Sequence, residues 1–594
     1  MDVAPLIRIE LAAGSLPPTL ALRTTKPSQS RIPMRLSAAV VLTLLATTTS
    51  ACRKDRPTAD AAEDGGTLVI ASGSDATLLF PPLTINVTSA QVEAQIFEHL
   101  AEPDEHLDMI GDAGWEGRLA RSWSWSSDSL SIAFAIDSMA RWQDGRPVRA
   151  SDVAFTYGVY TDPAVGSPVA PLLEDIDSVT VRDSLTTVFW FSRRSPEQFA
   201  TAAFQMRILP EHLLANADRK ELASSEFARN PVGSGPFRFV RWVPRQVIEL
   251  EANTKYHLGR PHLDRVIWSI APDYNAAFMR VLSGDADFLE YMRPGDFEPV
   301  SKHADIRAVR YPSLIYGFLL FNERDPKNAK RPHPVFANRS VRRALTMAID
   351  RVQLVRSVYD TLAIPAIGPF TEALSTYDST LKEIPYDPDS AAILLDAAGW
   401  RDSDGDGLRE RNGVPLQFTI IVPSSSTPRT RASVIMQEMF RKVGVRVDIE
   451  QMDPPTHGSR QDAGRFDATM NAMSSDGVPS TIRQLWSSSA VAEGSNYGSY
   501  ESPVFDALVD SAASQMDPGR AASYYSRAYQ RLIDDAPAIW LFEPFSYAAI
   551  QQRIHPVGMR ANGWWINLKD WYIPQAERIA RDRVGLSREL ASEE

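Results

Sequence analysis

Cys52 is the only cysteine among 594 residues, and it comes before the first segment with a folding pattern. The chain therefore cannot form an internal disulfide, and it cannot build a zinc or iron–sulfur centre from several thiolates. Its fold must rest on buried apolar surface and backbone hydrogen bonding. A composition of 44 % hydrophobic and 23 % charged residues is ordinary for globular proteins. The length allows two to four domains with separate cores.

The stretch Met34 to Cys52 reads MRLSAAVVLTLLATTTSAC. A basic start at Arg35, an apolar run from Leu36 to Ala46 and small residues before the cysteine are the layout of a secretory signal. The apolar run is shorter than the roughly 20 residues a bilayer span requires. Thr49-Ser50-Ala51-Cys52 resembles the lipobox of bacterial lipoproteins, which implies lipid attachment at Cys52. Soluble export after nearby cleavage, and a membrane-anchoring or buried segment, are the alternatives. Residues 1–33 carry five prolines and no period, and are expected to be a misassigned extension ahead of a start at Met34. Residues 52–65 are polar and aperiodic and read as a flexible tether. Removing residues 1–51 takes away five basic and two acidic residues and moves the net charge from −12 to −15. Such a surface argues against nucleic acid as a partner.

From Gly66 to about residue 573 strands and helices alternate irregularly without a repeat, so the fold class is α/β in the mixed α+β sense. Thr67 to Ala71 reads as a strand. Leu130 to Trp142 alternates like a strand and runs into the Asp144-Gly145 turn. Ser151 is the expected N-cap of a helix through Tyr160. Asp387-Pro388 opens a helix that Gly399 closes. Ser340 to Ala348 is a helix whose Val341, Ala344, Leu345 and Ala348 share a face, with Arg342 and Arg343 expected outside. Strand 416–422, helix 432–443 and strand 445–449 spell a parallel crossover.

Catalytic signatures are missing. The sequence has no G-x-S-x-G, H-E-x-x-H or G-x-x-x-x-G-K-[ST], and its nine histidines are scattered. We expect no catalytic residue and no cofactor. Asp402, Asp404 and Asp406 alternate like the start of a calcium loop, but the twelfth position is Gly413, where a bidentate glutamate belongs. A solvated turn is the better reading. Gly233-Ser234-Gly235-Pro236 is expected to be a tight turn needing glycine dihedrals, not a phosphate loop.

Ten segments, taken in order, resemble family 5 of the extracellular solute-binding proteins, the peptide-binding class of bacterial ABC importers. They are GTLVIASGSD at 66–75, LARSWSWSSD at 119–128, WQDGRPVRASDVAFTY at 142–157, NPVGSGPFRFVRW at 230–242, VLSGDADF at 281–288, LLFNE at 319–323, SVRRALTMAIDR at 340–351, YDPDSAAILLDAAGW at 386–400, FDATMNAMSSDG at 466–477 and SNYGSYESPVFDALVDSA at 495–512. The resemblance implies a two-lobed periplasmic-binding-protein-like fold of three domains with a ligand cleft between the lobes. Domain I would comprise 66–95, 230–312 and 525–573, domain II 96–229 and domain III 313–524, with a charged, helical tail at 574–594. It implies a monomeric, extracytoplasmic receptor that closes on a short peptide and delivers it to a membrane permease.

Asp476 matches the aspartate that pairs with a peptide ammonium in the family, although it also stands where it would cap the Asp476-Gly477 turn. Asn496 and Tyr497 match a segment near the cleft, and Trp486 precedes them as an aromatic surface or as core. Around Asp476, Ala472-Met473 and Val478-Pro479 stand where peptide binders often have Gly-Trp and Asp-Pro. A non-peptide ligand such as a nickel chelate, oligosaccharide, bile-acid-like compound or opine is the rival expectation. A sensor or chaperone without a transporter, and a hydrolase on the same scaffold, are further alternatives.

Overall fold

The computed structural model describes residues 64–475 and 477–586. The expectations for residues 1–33, for the leader, for Cys52 and for Asp476 lie outside the described residues.

Thr67–Ser72 (TLVIAS) is buried on both faces, as an apolar run without alternation requires of a central parallel strand. It pairs in parallel with Arg265–Ile270 on one side and with Phe288–Leu289 on the other. These strands belong to a seven-stranded sheet in the order Ile306–Tyr311, Ser546–Gln551, Phe288–Leu289, Thr67–Ser72, Arg265–Ile270, Val247–Ala252, Phe237–Val243. One face packs Leu68, Ile70, Phe288, Trp268 and Trp571; the other packs Val69, Ala71, Phe278, Val281 and Ala549. Each such side chain taken fully from water contributes about 1.5–3 kcal/mol.

A six-stranded sheet runs in the order Ala363–Ile364, Ala538–Pro544, Ile315–Phe321, Ala468–Ser474, Gln417–Pro423, Arg446–Met452. The expected crossover is there: Gln417–Pro423 and Arg446–Met452 pair in parallel, joined by helix Thr427–Lys442. The helix begins five residues before the expected start, because Pro428 falls in its first turn, where a missing N–H costs nothing. A four-stranded antiparallel sheet (Ala120–Trp125, Ser131–Ile136, Thr186–Phe191, Ile176–Asp183) packs Phe134, Phe189 and Phe199 with Trp142.

Between the two large sheets the described chain crosses twice, at 312–314 and at Phe545. The crossings lie side by side. Tyr311 pairs with Ser546 just before them, and Gly317 with Phe542 just beyond. The second crossing falls after the expected boundary at 524/525. Helix Pro518–Asp535 buries Tyr525, Ala528, Tyr529 and Leu532 in the core under the six-stranded sheet, and strand Ala538–Pro544 pairs within that sheet.

Local readings differ in four places. The 130–142 strand is Ser131–Ile136, with Asp137 turning the chain through its contact with the Met139 N–H. The helix to Tyr160 begins at Ala150, capped by Asp152, whose carboxylate accepts the Arg149 N–H at 2.8 Å. Arg342 is buried, not outside. Its guanidinium donates to the carbonyls of Phe336, Asp535 and Ala536 and pairs with Glu323 at 2.8 Å. Gly233 and Gly235 have no positive φ; they are needed because a Cβ would lie 1.9 Å from the Ile96 carbonyl and 2.5 Å from that of Gln95.

Residues 575–577 and 580–583 of the tail form short 3₁₀ turns in place of a helix. Asp582 is buried there. It accepts the Thr67 N–H at 2.9 Å and an Arg553 N–H at 2.6 Å, tying the tail to the central strand.

Candidate functional site

A cavity of about 670 Å³ opens where the two large sheets meet. Tyr291, Arg293 and Asp296 line it from the seven-stranded side. Ser313, Phe542, Phe545 and Ser546 line it from the crossing strands. Tyr359, Ser425, Arg429, Arg431 and Ala472 come from the six-stranded side. The local sequence explains this placement. Strand Gln417–Pro423 ends at a proline, Ser424-Ser425-Ser426 turns the chain, and the helix from Thr427 starts at the rim. The crevice beyond the carboxyl ends of parallel strands is where open α/β sheets take ligands.

Arg429 is half-buried at the start of that helix, and its guanidinium makes a long contact of 3.5 Å to the Met470 carbonyl. Burial lowers its pKa, and the nearby Tyr359 acts in the opposite direction. Asp296 is engaged by the Arg293 N–H at 2.7 Å and by the Tyr274 hydroxyl. At the second crossing the Arg310 guanidinium lies 3.3 Å over the Phe545 ring and braces it.

Of the expected site residues, Trp486, Asn496 and Tyr497 stand together but outside this lining. Trp486 is 3 % exposed and packs on Trp540 at 5.2 Å and Phe318 at 6.0 Å. It also walls a small cavity of about 30 Å³ with Tyr316, Ser475, Gly477 and Val478. Asn496 shapes its loop: its amide donates to the Ser487 and Tyr500 carbonyls at 2.9 and 2.8 Å and accepts the Tyr500 N–H. Tyr497 is half-buried against the same core.

In the acidic loop, oxygens of Asp402, Asp404 and Glu410 lie within 4.8 Å of one another, and Asp406 is not in the group. Asp402 accepts the N–H groups of Gly405 and Gly407, Asp406 that of Leu408, and Glu410 that of Ser403. These bonds make a closed, solvated turn.

A second opening of about 820 Å³ lies between the tail and the far end of the seven-stranded sheet. Arg553 and Arg581 there both pair with Asp287, and Arg307 donates to the carbonyls of Gln552 and Ile554. Its arginines meet a shared carboxylate or backbone carbonyls. The cleft between the sheets differs in its aromatic walls, formed by Tyr291, Tyr359, Phe542 and Phe545.

The residues missed by sequence reasoning are Tyr291, Arg293, Tyr359, Arg429 and Arg431. For the last two a signal existed: a Ser-rich turn and a proline after a parallel strand mark a helix start at a strand's carboxyl end.

Two large sheets joined by a paired crossing, with a cavity at the crossing, are an architecture suited to holding a guest between two bodies. The sequence profile of the bacterial extracellular solute-binding proteins, family 5 Middle, matches residues 114–495. The chain belongs to that family. The oligopeptide-binding protein AppA of Bacillus subtilis is 27 % identical over 556 residues, covering 91 % of this chain and 98 % of that one. A putative ABC transporter peptide-binding protein of Brucella ovis is 29 % identical over 436 residues, covering 72 % and 78 %. Among solved structures, AppA from B. subtilis in complex with a nonapeptide superposes with a TM-score of 0.68 over 86 % of this chain and 99 % of that one. NikZ from Campylobacter jejuni in complex with Ni(L-His) shares the fold, with a TM-score of 0.69, 24 % identity and coverage of 85 % and 99 %. The family resemblance and the mixed α/β, periplasmic-binding-protein-like fold expected from the sequence are both found.

Proposed function

We propose that the protein is the extracytoplasmic receptor of an ABC importer. It captures a short peptide in the cleft between the two large sheets and hands it unaltered to a membrane permease. The cavity at the paired crossing carries this reading. A hinge of two adjacent strands lets the sheets close over a guest, and the closed state gains contacts the open state lacks. Membership of a solute-binding family and likeness to a nonapeptide complex support the ligand class. In this reading the protein is not an enzyme, acts as a monomer and is held at the membrane by lipid on Cys52. Asp476 meets the peptide ammonium, and Trp486, Asn496 and Tyr497 take part in binding the guest. No helix among the described residues is long and apolar enough to cross a membrane.

Domains I, II and III follow the sheets: 66–95 with 230–312 and the segment after Phe545 make the first lobe, 96–229 its insertion, and 313–544 the second lobe. A non-peptide guest is the second reading, favoured by the NikZ structure with Ni(L-His). Thermal stabilisation by a library of tri- to nonapeptides tests the first against the second. Stabilisation by several unrelated peptides supports the peptide receptor. Stabilisation by a metal chelate alone replaces it.

A further inference from the structure

His257 stands between two carboxylates, with its side chain 1 % exposed. Its Nε2 lies 3.1 Å from Glu98 Oε1, and its Nδ1 lies 3.3 Å from Asp137 Oδ2. The three residues come from different elements. Glu98 follows helix Val87–Ile96, His257 lies beyond strand Val247–Ala252 of the seven-stranded sheet, and Asp137 follows strand Ser131–Ile136 of the four-stranded sheet. Glu98 is buried and also accepts the Tyr256 hydroxyl at 2.7 Å. Asp137 accepts the Met139 N–H at 2.8 Å through its other oxygen.

A carboxylate can only accept, so each ring nitrogen of His257 must donate, and only an imidazolium has two N–H groups. His333 shows the contrast. Its Nδ1 accepts the N–H groups of Val335 and Phe336, so a neutral ring serves there, with Nε2 left to donate to Asp467 at 3.2 Å. A neutral His257 would turn a lone pair toward one of its two carboxylates, where little water reaches to take the place of the lost donor.

Burial on its own would lower the pKa of His257, but the hydrogen bonds and charges of Glu98 and Asp137 outweigh it and raise the value. Other ionisable groups nearby are Arg121, whose charge acts on Asp137, and Arg118, Arg207, Lys569 and Glu102, which stand with Glu98 around a cavity of about 40 Å³. Glu102 is paired there with His99 at 2.9 Å.

We propose that His257 is a pH-sensitive staple. As an imidazolium it fastens the four-stranded sheet to the seven-stranded one, and the four-stranded sheet loosens at this point once the ring loses its proton. Histidine is the side chain whose charge ordinarily changes near neutral pH. The contribution of the staple is complete below the ordinary histidine value of 6.5 and is lost as the pH rises through the raised one. It sets the seat from which Glu197, beyond the same four-stranded sheet, accepts the Ser480 N–H.

The test uses the mature protein in two measurements. NMR of protein labelled with ¹⁵N-histidine reads the ring, its signals identified by their loss in His257→Gln. Hydrogen exchange with mass analysis, corrected for the intrinsic effect of pH, reads segments 96–102 and 131–139 at about pH 6 and about pH 9. The comparison is Asp137→Asn. The amide oxygen of that variant keeps the Met139 contact while its NH₂ donates to a neutral Nδ1, so the staple holds without the extra proton. The expected result is a His257 midpoint above 6.5, with protection falling at least tenfold in wild type between the two pH values and less than threefold in Asp137→Asn. A midpoint at or below 6.5 overturns the proposal, as does equal protection of wild type at both pH values. An equal fall in Asp137→Asn also overturns it, because the proton that matters then lies elsewhere. Should His257→Gln fail to fold, the displacement of the same signals in Asp137→Asn identifies them.

Discussion

The carboxylate of Glu197 accepts the backbone N–H of Ser480 at 2.9 Å and the Ser480 hydroxyl as well, across 283 residues of chain. The Tyr525 hydroxyl donates to the same carboxylate at 3.2 Å. Glu197 follows the four-stranded sheet, whereas Ser480 and Tyr525 belong to the body around the six-stranded sheet. Ser480 also continues the loop whose Gly477, Val478 and Pro479 wall the small cavity beside Trp486. Any opening between these bodies must break the joint.

Ser480→Ala keeps the N–H contact and removes the hydroxyl. Hydrogen bonds to a charged group contribute about 1.5–3 kcal/mol net. The expected result is bound-peptide release roughly tenfold faster or more, with a larger radius of gyration by small-angle scattering. Unchanged release and an unchanged radius would mean that the contact carries no closure energy.

Arg342 and Arg343 are neighbours with opposite fates. Arg342 is 3 % exposed and holds Glu323 and the turn at Ala536, a residue in left-handed backbone conformation. Burial pushes the Glu323 pKa up to about 7 even with this partner. Arg342→Leu leaves that acid and three carbonyls unpaired in the interior, and should cost about 3–5 kcal/mol. Arg343→Leu loses a surface pair with Asp534 at 3.6 Å and should cost about 0–1 kcal/mol. Urea midpoints of the two variants check the contrast.

This pair also shows what the sequence disclosed. Helical period placed Val341, Ala344 and Leu345 on the core face, and all three are buried. Period could not reveal that Arg342 would be drawn in, because two of its carbonyl acceptors, those of Asp535 and Ala536, lie 193 and 194 residues downstream at a helix end. The parallel crossover at 417–452 was legible from apolar runs and a glycine stop, since those signals are local. The cleft was not, because it is assembled from residues near 291, 359, 429 and 542 by two crossings that no local pattern announces. The tail read as a charged appendage; the burial of Asp582 depends on Arg553 and Thr67, both remote in sequence.

Gly233 and Gly458 separate two kinds of glycine. A Cβ at Gly233 would lie 1.9 Å from the Ile96 carbonyl, so Gly233→Ala must displace backbone and should cost about 1–3 kcal/mol. Gly458 lies inside helix Pro454–Asp462 with no atom within 4 Å of a built Cβ, so Gly458→Ala should stabilise by about 0.5–1 kcal/mol. Thermal midpoints moving in opposite directions would bear this out.

Glu93 is 1 % exposed, accepts the Thr84 hydroxyl at 2.7 Å, and has its pKa pushed up to about 8 by burial. The native state therefore keeps a proton that the unfolded chain releases near the ordinary glutamate value of 4.5. The contribution of Glu93 is full below about pH 4.5 and is lost as the pH rises to about 8. Glu93→Gln removes this dependence. Denaturant midpoints of wild type should fall relative to the variant between pH 5 and 8 and run parallel above. Parallel profiles throughout would contradict the burial of the acid.

The most direct measurement is native mass spectrometry of the mature protein mixed with free-acid tri- to nonapeptides, followed by denaturation and mass analysis of what is released. The account predicts a one-to-one complex and a released peptide of unchanged mass. Absence of a complex at excess peptide, or release of cleaved fragments, would contradict it.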